Sequence, residues 1–320
     1  MTDKITHNLE KDGVDRRGFL KCMAWAGTGV LWSMTGGILR SQTLSQAGGG
    51  GAPMHGMKPD LCFVQISDSH IGFNKDANKD VTATLQAAVA KINALPVAPE
   101  FILHTGDLTH LAEAEEFDTL EQILKSTKAK QVHYVPGEHD ILNDDGKQYL
   151  ERFGKMSKGS GYYSFDHKGV HFVGLANVQG IKEGGLGVLG HDQLEWLEDD
   201  LSGKSPSTPI VVFAHVPLWE VYPKWGWGTE DSAQALGYLK RFGSVTVLNG
   251  HIHQIVQKVE GNVTFHTAMS TAFPQPEAGT RPKPGPLVVP ANELRHHLGV
   301  TTVNYVEGKS MLAVVDSPLM

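Results

Sequence analysis

Five short motifs of Asp, His and Glu punctuate this 320-residue chain, and each falls just past a run that reads as a β-strand. Asp68-x-His70 follows the apolar run from Leu61 to Ser67. Gly106-Asp107 follows Phe101 to Thr105, and Gly137-Glu138-His139-Asp140 follows Gln131 to Val135. His215 closes Val211-Val212-Phe213-Ala214, and Gly250-His251-x-His253 follows the strand beginning at Val245. Imidazole and carboxylate donors without cysteine suit Mn, Fe, Zn or Co and disfavour soft-metal chemistry. A carboxylate shared by two such ions holds them about 3.5–4 Å apart, the spacing of two-metal hydrolases. One Asp-x-His alone is usually a surface turn. Five groups delivered to strand ends can converge, because open α/β sheets bind ligands at the carboxyl ends of their strands.

The elements that must position these residues alternate strand and helix. Helical spacing of apolar residues marks Asp80 to Leu95, Leu111 to Lys125, Gln193 to Leu201 and Ser232 to Phe242. Tyr162 to Phe165 and Val170 to Leu175 flank Asp166-His167-Lys168-Gly169 as a hairpin. Later strands are expected at Val263 to Thr267, Val300 to Val303 and Leu312 to Val315. This pattern predicts an α/β fold whose sheet is partly antiparallel or mixed. Six prolines between Pro274 and Pro290 mark a loop.

Taken in order, Asp68-x-His70, Gly106-Asp107, Gly137-x-His139-Asp140, His215 and Gly250-His251-x-His253 resemble the motif series of the calcineurin-like metallophosphoesterases, over about residues 61–270. The resemblance implies a four-layer fold, a two-sheet mixed β-sandwich flanked by helices. It implies two metal ions and hydrolysis of a small phosphate ester, with a diester slightly preferred. Asp68, His70, Asp107 and His253 would hold the first ion, Asp107 would bridge, and Glu138, His215 and His251 would hold the second. His139 would lie beside the substrate as a catalytic residue, with Asp140 orienting its ring. In that chemistry a metal-bridging hydroxide attacks phosphorus in line, while protonated His139 serves the phosphoryl or leaving oxygen.

One position departs from the pattern. The family usually has Asn where this chain has Glu138. A carboxylate is a competent ligand, and its negative charge favours Mn or Fe, with Zn still compatible. The alternative is a weakened or inactive binding module of the same fold. His110 stands where the related purple acid phosphatases place a ligating Tyr. It is a candidate extra ligand or substrate contact, or a plain histidine at a helix start. Trp219, Tyr222, Trp225 and Trp227 crowd the loop after His215, either to stack on a substrate or to cap the loop by packing.

The N-terminus reads as an address. Arg16-Arg17-Gly18-Phe19-Leu20-Lys21 precedes an uncharged stretch from Cys22 to Leu39 whose glycines keep it only weakly apolar. This resembles a twin-arginine signal peptide. The expected organisation is a leader over 1–47, a Gly-rich tether over 48–60 and a metallophosphoesterase domain over 61–320. The expected partner is the twin-arginine export machinery and the destination periplasmic or secreted, membrane-anchored if the leader stays uncleaved. No stable membrane span is expected in the mature form. Without residues 1–47, 22 Lys and Arg face 31 Asp and Glu, a net charge of −9 that argues against duplex nucleic acid as a partner. Of two cysteines, only Cys62 lies beyond the leader, so no internal disulfide is expected in the mature chain.

Overall fold

The computed structural model describes residues 59–181, 185–307 and 312–320, and the backbone of Val30–Thr35 and Ile38–Thr43. The twin-arginine motif, the expected cleavage region and nearly all of the tether lie outside the described residues. Val30–Thr35 pairs antiparallel with Ile38–Thr43. Among the described residues, no helix is long and apolar enough to cross a membrane.

Among the described residues from 59 onward there are eleven strands and five α-helices. In chain order they are β1 (Leu61–Ile66), α1 (Val81–Asn93), β2 (Phe101–His104), α2 (Ala114–Leu124), β3 (Gln131–Tyr134), α3 (Lys147–Phe153), β4 (Tyr163–His167), β5 (Val170–Leu175), α4 (His191–Ser202), β6 (Ile210–Ala214), α5 (Ser232–Leu239), β7 (Val245–Asn249), β8 (Gln257–Glu260), β9 (Val263–Thr267), β10 (Gly299–Tyr305) and β11 (Ala313–Pro318). They form two sheets, ordered β11-β10-β1-β2-β3 and β8-β9-β7-β6-β5-β4. The centre of each sheet is parallel: β1 with β2 and β3, and β5 with β6, β7 and β9. Antiparallel strands flank it, β10 beside β1, β4 beside β5 and β8 beside β9.

Local chemistry explains these elements. Every residue of β1, β2, β5, β6 and β7 is buried, as strands covered on both faces must be. Helix α1 starts where Asp80 accepts a hydrogen bond from the Ala83 amide, and it buries Val81, Leu85, Ala88, Val89 and Ile92 along one stripe. The β4–β5 turn places Lys168 and Gly169 at φ of 48° and 76°, the conformation that lets a two-residue turn follow the twist of the hairpin. Between the sheets, Phe63 stacks on Phe101 at 5.2 Å and meets the edge of Phe172 at 5.4 Å. Helices α1 and α2 cover the outer face of the first sheet, and α4 and α5 that of the second. The result is the expected four-layer sandwich. Cys62 is buried and free, and burial together with nearby Glu100 pushes its thiol up to about 11.

Candidate metal centre

The parallel strands β1, β2, β6 and β7 end at one edge of the sandwich, and the motifs leave from there. The chain turns sharply at the exits of β1, β2 and β7 to aim these side chains inward. Asp68, His70, Asp107, His251 and His253 take φ values of 53°, 41°, 51°, 68° and 53°, in the left-handed region that non-glycine residues avoid. Each such residue costs on the order of 1 kcal/mol or more, and strain of this kind collects at functional sites. The motif glycines answer a different need. A Cβ at Gly137 would collide with the backbone and carboxylate of Asp107, and one at Gly106 would lie 2.5 Å from the His215 ring.

All seven candidate ligands meet in one buried to half-buried cluster. His70 Nε2 lies 3.3 Å from His253 Nε2, which is 3.2 Å from Asp68 Oδ1. On the other side, Glu138 Oε2 lies 2.9 Å from His215 Nε2, and Glu138 Oε1 lies 3.0 Å from His251 Nδ1. Asp107 stands between the halves, its Oδ2 being 3.4 Å from both His70 Nε2 and His215 Nε2.

This donor set fits metal ions. His253 and His215 each donate Nδ1–H to a backbone carbonyl, that of Phe273 at 2.5 Å and of Thr105 at 2.7 Å. That fixes the proton on Nδ1 and turns the Nε2 lone pair into the cluster, the arrangement of a metal-bound imidazole. The cluster therefore points acceptors at acceptors. Its electrostatics demand positive charge at the centre: burial lowers the affinity of His215 for a proton, yet Asp107 and Glu138 raise it well above the ordinary imidazole value. Glu138 shows the converse, since burial raises its carboxyl but the His251 and His215 rings hold it well below the usual range.

His139 sits beside the seven candidate ligands, its ring 4.7 Å from that of His70. Its Nδ1 meets the His110 carbonyl at 2.7 Å, so Asp140 does not orient the ring as expected. Asp140 is fully buried and accepts hydrogen bonds from the Leu108, Thr109 and Gly137 amides and the Thr109 hydroxyl, at 3.1, 2.9, 2.9 and 2.9 Å. It ties the Asp107 loop to the Glu138 loop, and burial with the nearby Asp107 charge raises its carboxyl to about 7. His110 is half-buried, not a plain surface residue. Its ring stacks on His139 at 4.9 Å and 18°, and burial drops it to about 4.

His104, His266, His296, His297 and the aromatic loop lie apart from the cluster. His104 is buried behind the centre and meets Ser69 Oγ at 2.8 Å. His266 pairs with Asp316 at 3.0 Å, and His296 and His297 are exposed. Trp225, Trp227 and Ile252 pack together while Trp219 lies against Phe265, so the aromatic loop is a packed cap over the His251–His253 turn. Two supports had no signal in the sequence. Phe273 stacks on His70 at 4.8 Å, and Gln275, within the Pro-rich loop, donates to the His251 carbonyl at 2.9 Å.

A family model described as calcineurin-like phosphoesterase matches residues 62–255. The chain belongs to the calcineurin-like phosphoesterase family. It is a metal-dependent phosphoesterase, and its family is one of dinuclear metal enzymes. A 3',5'-cyclic-nucleotide phosphodiesterase of Nostoc is 26% identical, over 68% of this chain and 80% of that one. A protein of Arcobacter nitrofigilis named probable glycerophosphodiester phosphodiesterase is 24% identical, over 66% and 78%. A serine/threonine-protein phosphatase of Danio rerio is 27% identical, over 60% and 70%. Among solved structures, a dimetal phosphatase from Danio rerio aligns with a TM-score of 0.61 at 14% identity, covering 82% of this chain and 98% of that one. That likeness shows the fold.

Proposed function

We propose that this phosphoesterase hydrolyses a phosphodiester in preference to a monoester, at two metal ions bridged by Asp107. Asp68, His70 and His253 would complete the first ion's ligands, and Glu138, His215 and His251 the second's. The observation that carries this reading is the position of Asp107 Oδ2, 3.4 Å from a histidine of each half. When bound, the ions would supply a bridging hydroxide as nucleophile and neutralise charge on the phosphoryl oxygens. His139 acts from beside them. With Nδ1 engaged by the His110 carbonyl, its Nε2 is the atom left to give a proton to the leaving oxygen.

Diester preference follows from charge. Glu138 adds an anion to the centre, which penalises a monoester dianion more than a diester monoanion. The same charge favours Mn or Fe. Two of the three relatives named above are diesterases in name. After reconstitution with Mn or Fe, kcat/KM should be higher for bis(4-nitrophenyl) phosphate than for 4-nitrophenyl phosphate. A reversed ratio would sink the diester preference, and inert behaviour toward both would sink the hydrolase. We also propose, from Arg16-Arg17 and the weakly apolar stretch after them, that the twin-arginine machinery exports the chain to the periplasm or beyond.

A further inference from the structure

We propose that the leaving alcohol of the substrate carries an apolar aryl or alkyl group, which seats on Leu111 and Leu142 at the His139 side of the centre. This rests on the phosphoesterase reading, because His139 marks the side on which the leaving oxygen is protonated. A short 3-10 turn spans Glu138–Ile141, and Leu142 caps it. Residues three apart on such a turn eclipse, so Leu142 lies over His139 on the same face. Leu111 arrives from the other loop. The His110 ring stacks on His139, and Asn143 donates to the Leu111 carbonyl at 2.5 Å, which lays the two segments side by side.

Both leucines face solvent, Leu111 at 48% and Leu142 at 55% of full exposure. Isolated exposed leucines need no explanation. Two together, beside the residue that meets the leaving group, form an apolar wall at the point where the alcohol must sit. Two carboxylates near these segments are already engaged, Glu116 by the Leu111 amide at 2.8 Å and Glu113 by the Asn143 amide at 2.8 Å. A polar alcohol such as an unsubstituted glycerol would find no use for this wall, whereas an aryl or alkyl alcohol would cover it.

The test is binding of n-alkylphosphonates, methyl to hexyl, to the Mn-reconstituted protein by calorimetry. Affinity should rise about two- to fourfold for each methylene the wall covers. In the Leu111→Asn/Leu142→Asn double variant the rise should flatten, with methylphosphonate affinity unchanged. A flat series in the wild type, or a slope kept by the double variant, overturns the proposal. Turnover of the matching methyl n-alkyl phosphate diesters, whose alcohols share nearly one pKa, separates the two readings. Chain-length-dependent binding without turnover of any diester would sink the phosphoesterase reading and leave the wall standing.

Discussion

Glu138 sets the charge of the centre. Its two oxygens reach His215 and His251 at 2.9 and 3.0 Å, so the longer side chain is accommodated where the family usually keeps Asn. A half-buried carboxylate facing two rings is tolerable only with positive charge beside it. Glu138→Gln keeps the length and removes the anion, and we expect it to weaken the second ion at least about tenfold, a loss of about 1.4 kcal/mol. Glu138→Asn retracts the ligand by one methylene and should recover only part of that loss. Metal titration with diester hydrolysis on the wild type and both variants reads this out. If Asn gained both an ion and activity over the wild type, Glu138 would be a lesion and the binding-module alternative the better account.

The loops that leave β2, β3 and β7 carry a packing requirement beyond their candidate ligands. Gly137 approaches Asp107 so closely that a methyl group has no room. Gly137→Ala should cost at least about 100-fold in kcat/KM, since a displacement of an ångström at a reacting centre has that scale. Its far-ultraviolet circular dichroism should stay native, because β3 and the sheet behind it are untouched. Wild-type activity in that variant would show that the approach is unimportant. The residues that converge on the cluster, their order and their strand-end positions were legible in the sequence, and so were the four longer helices to within a few residues. Strand β8 was not, because Gln257–Glu260 is exposed throughout and lacks apolar alternation. Helix α3 was missed because its seven residues bury only Tyr149. The role of Asp140 was misread for a physical reason. Two of its three amide partners lie 31 and 32 residues away, contacts that no local spacing announces.

At the scale of the whole chain, a net charge of −9 outside residues 1–47 surrounds a cluster that calls for cations. The long-range field therefore favours metal loading and disfavours polyanions. Export through the twin-arginine route suits such a protein, which would leave the cytoplasm folded with its ions in place. Arg16→Lys/Arg17→Lys should strand it in the cytoplasm, as fractionation would show, and unchanged delivery to the periplasm would contradict the leader. On the proposed reading, Asp107 would join two ion sites into one centre. Metal content per chain, by mass spectrometry on purified wild type and Asp107→Ala, tests it most directly. Two ions per wild-type chain, and loss of both together with diester hydrolysis in the variant, is the predicted result. Full occupancy in Asp107→Ala would contradict it.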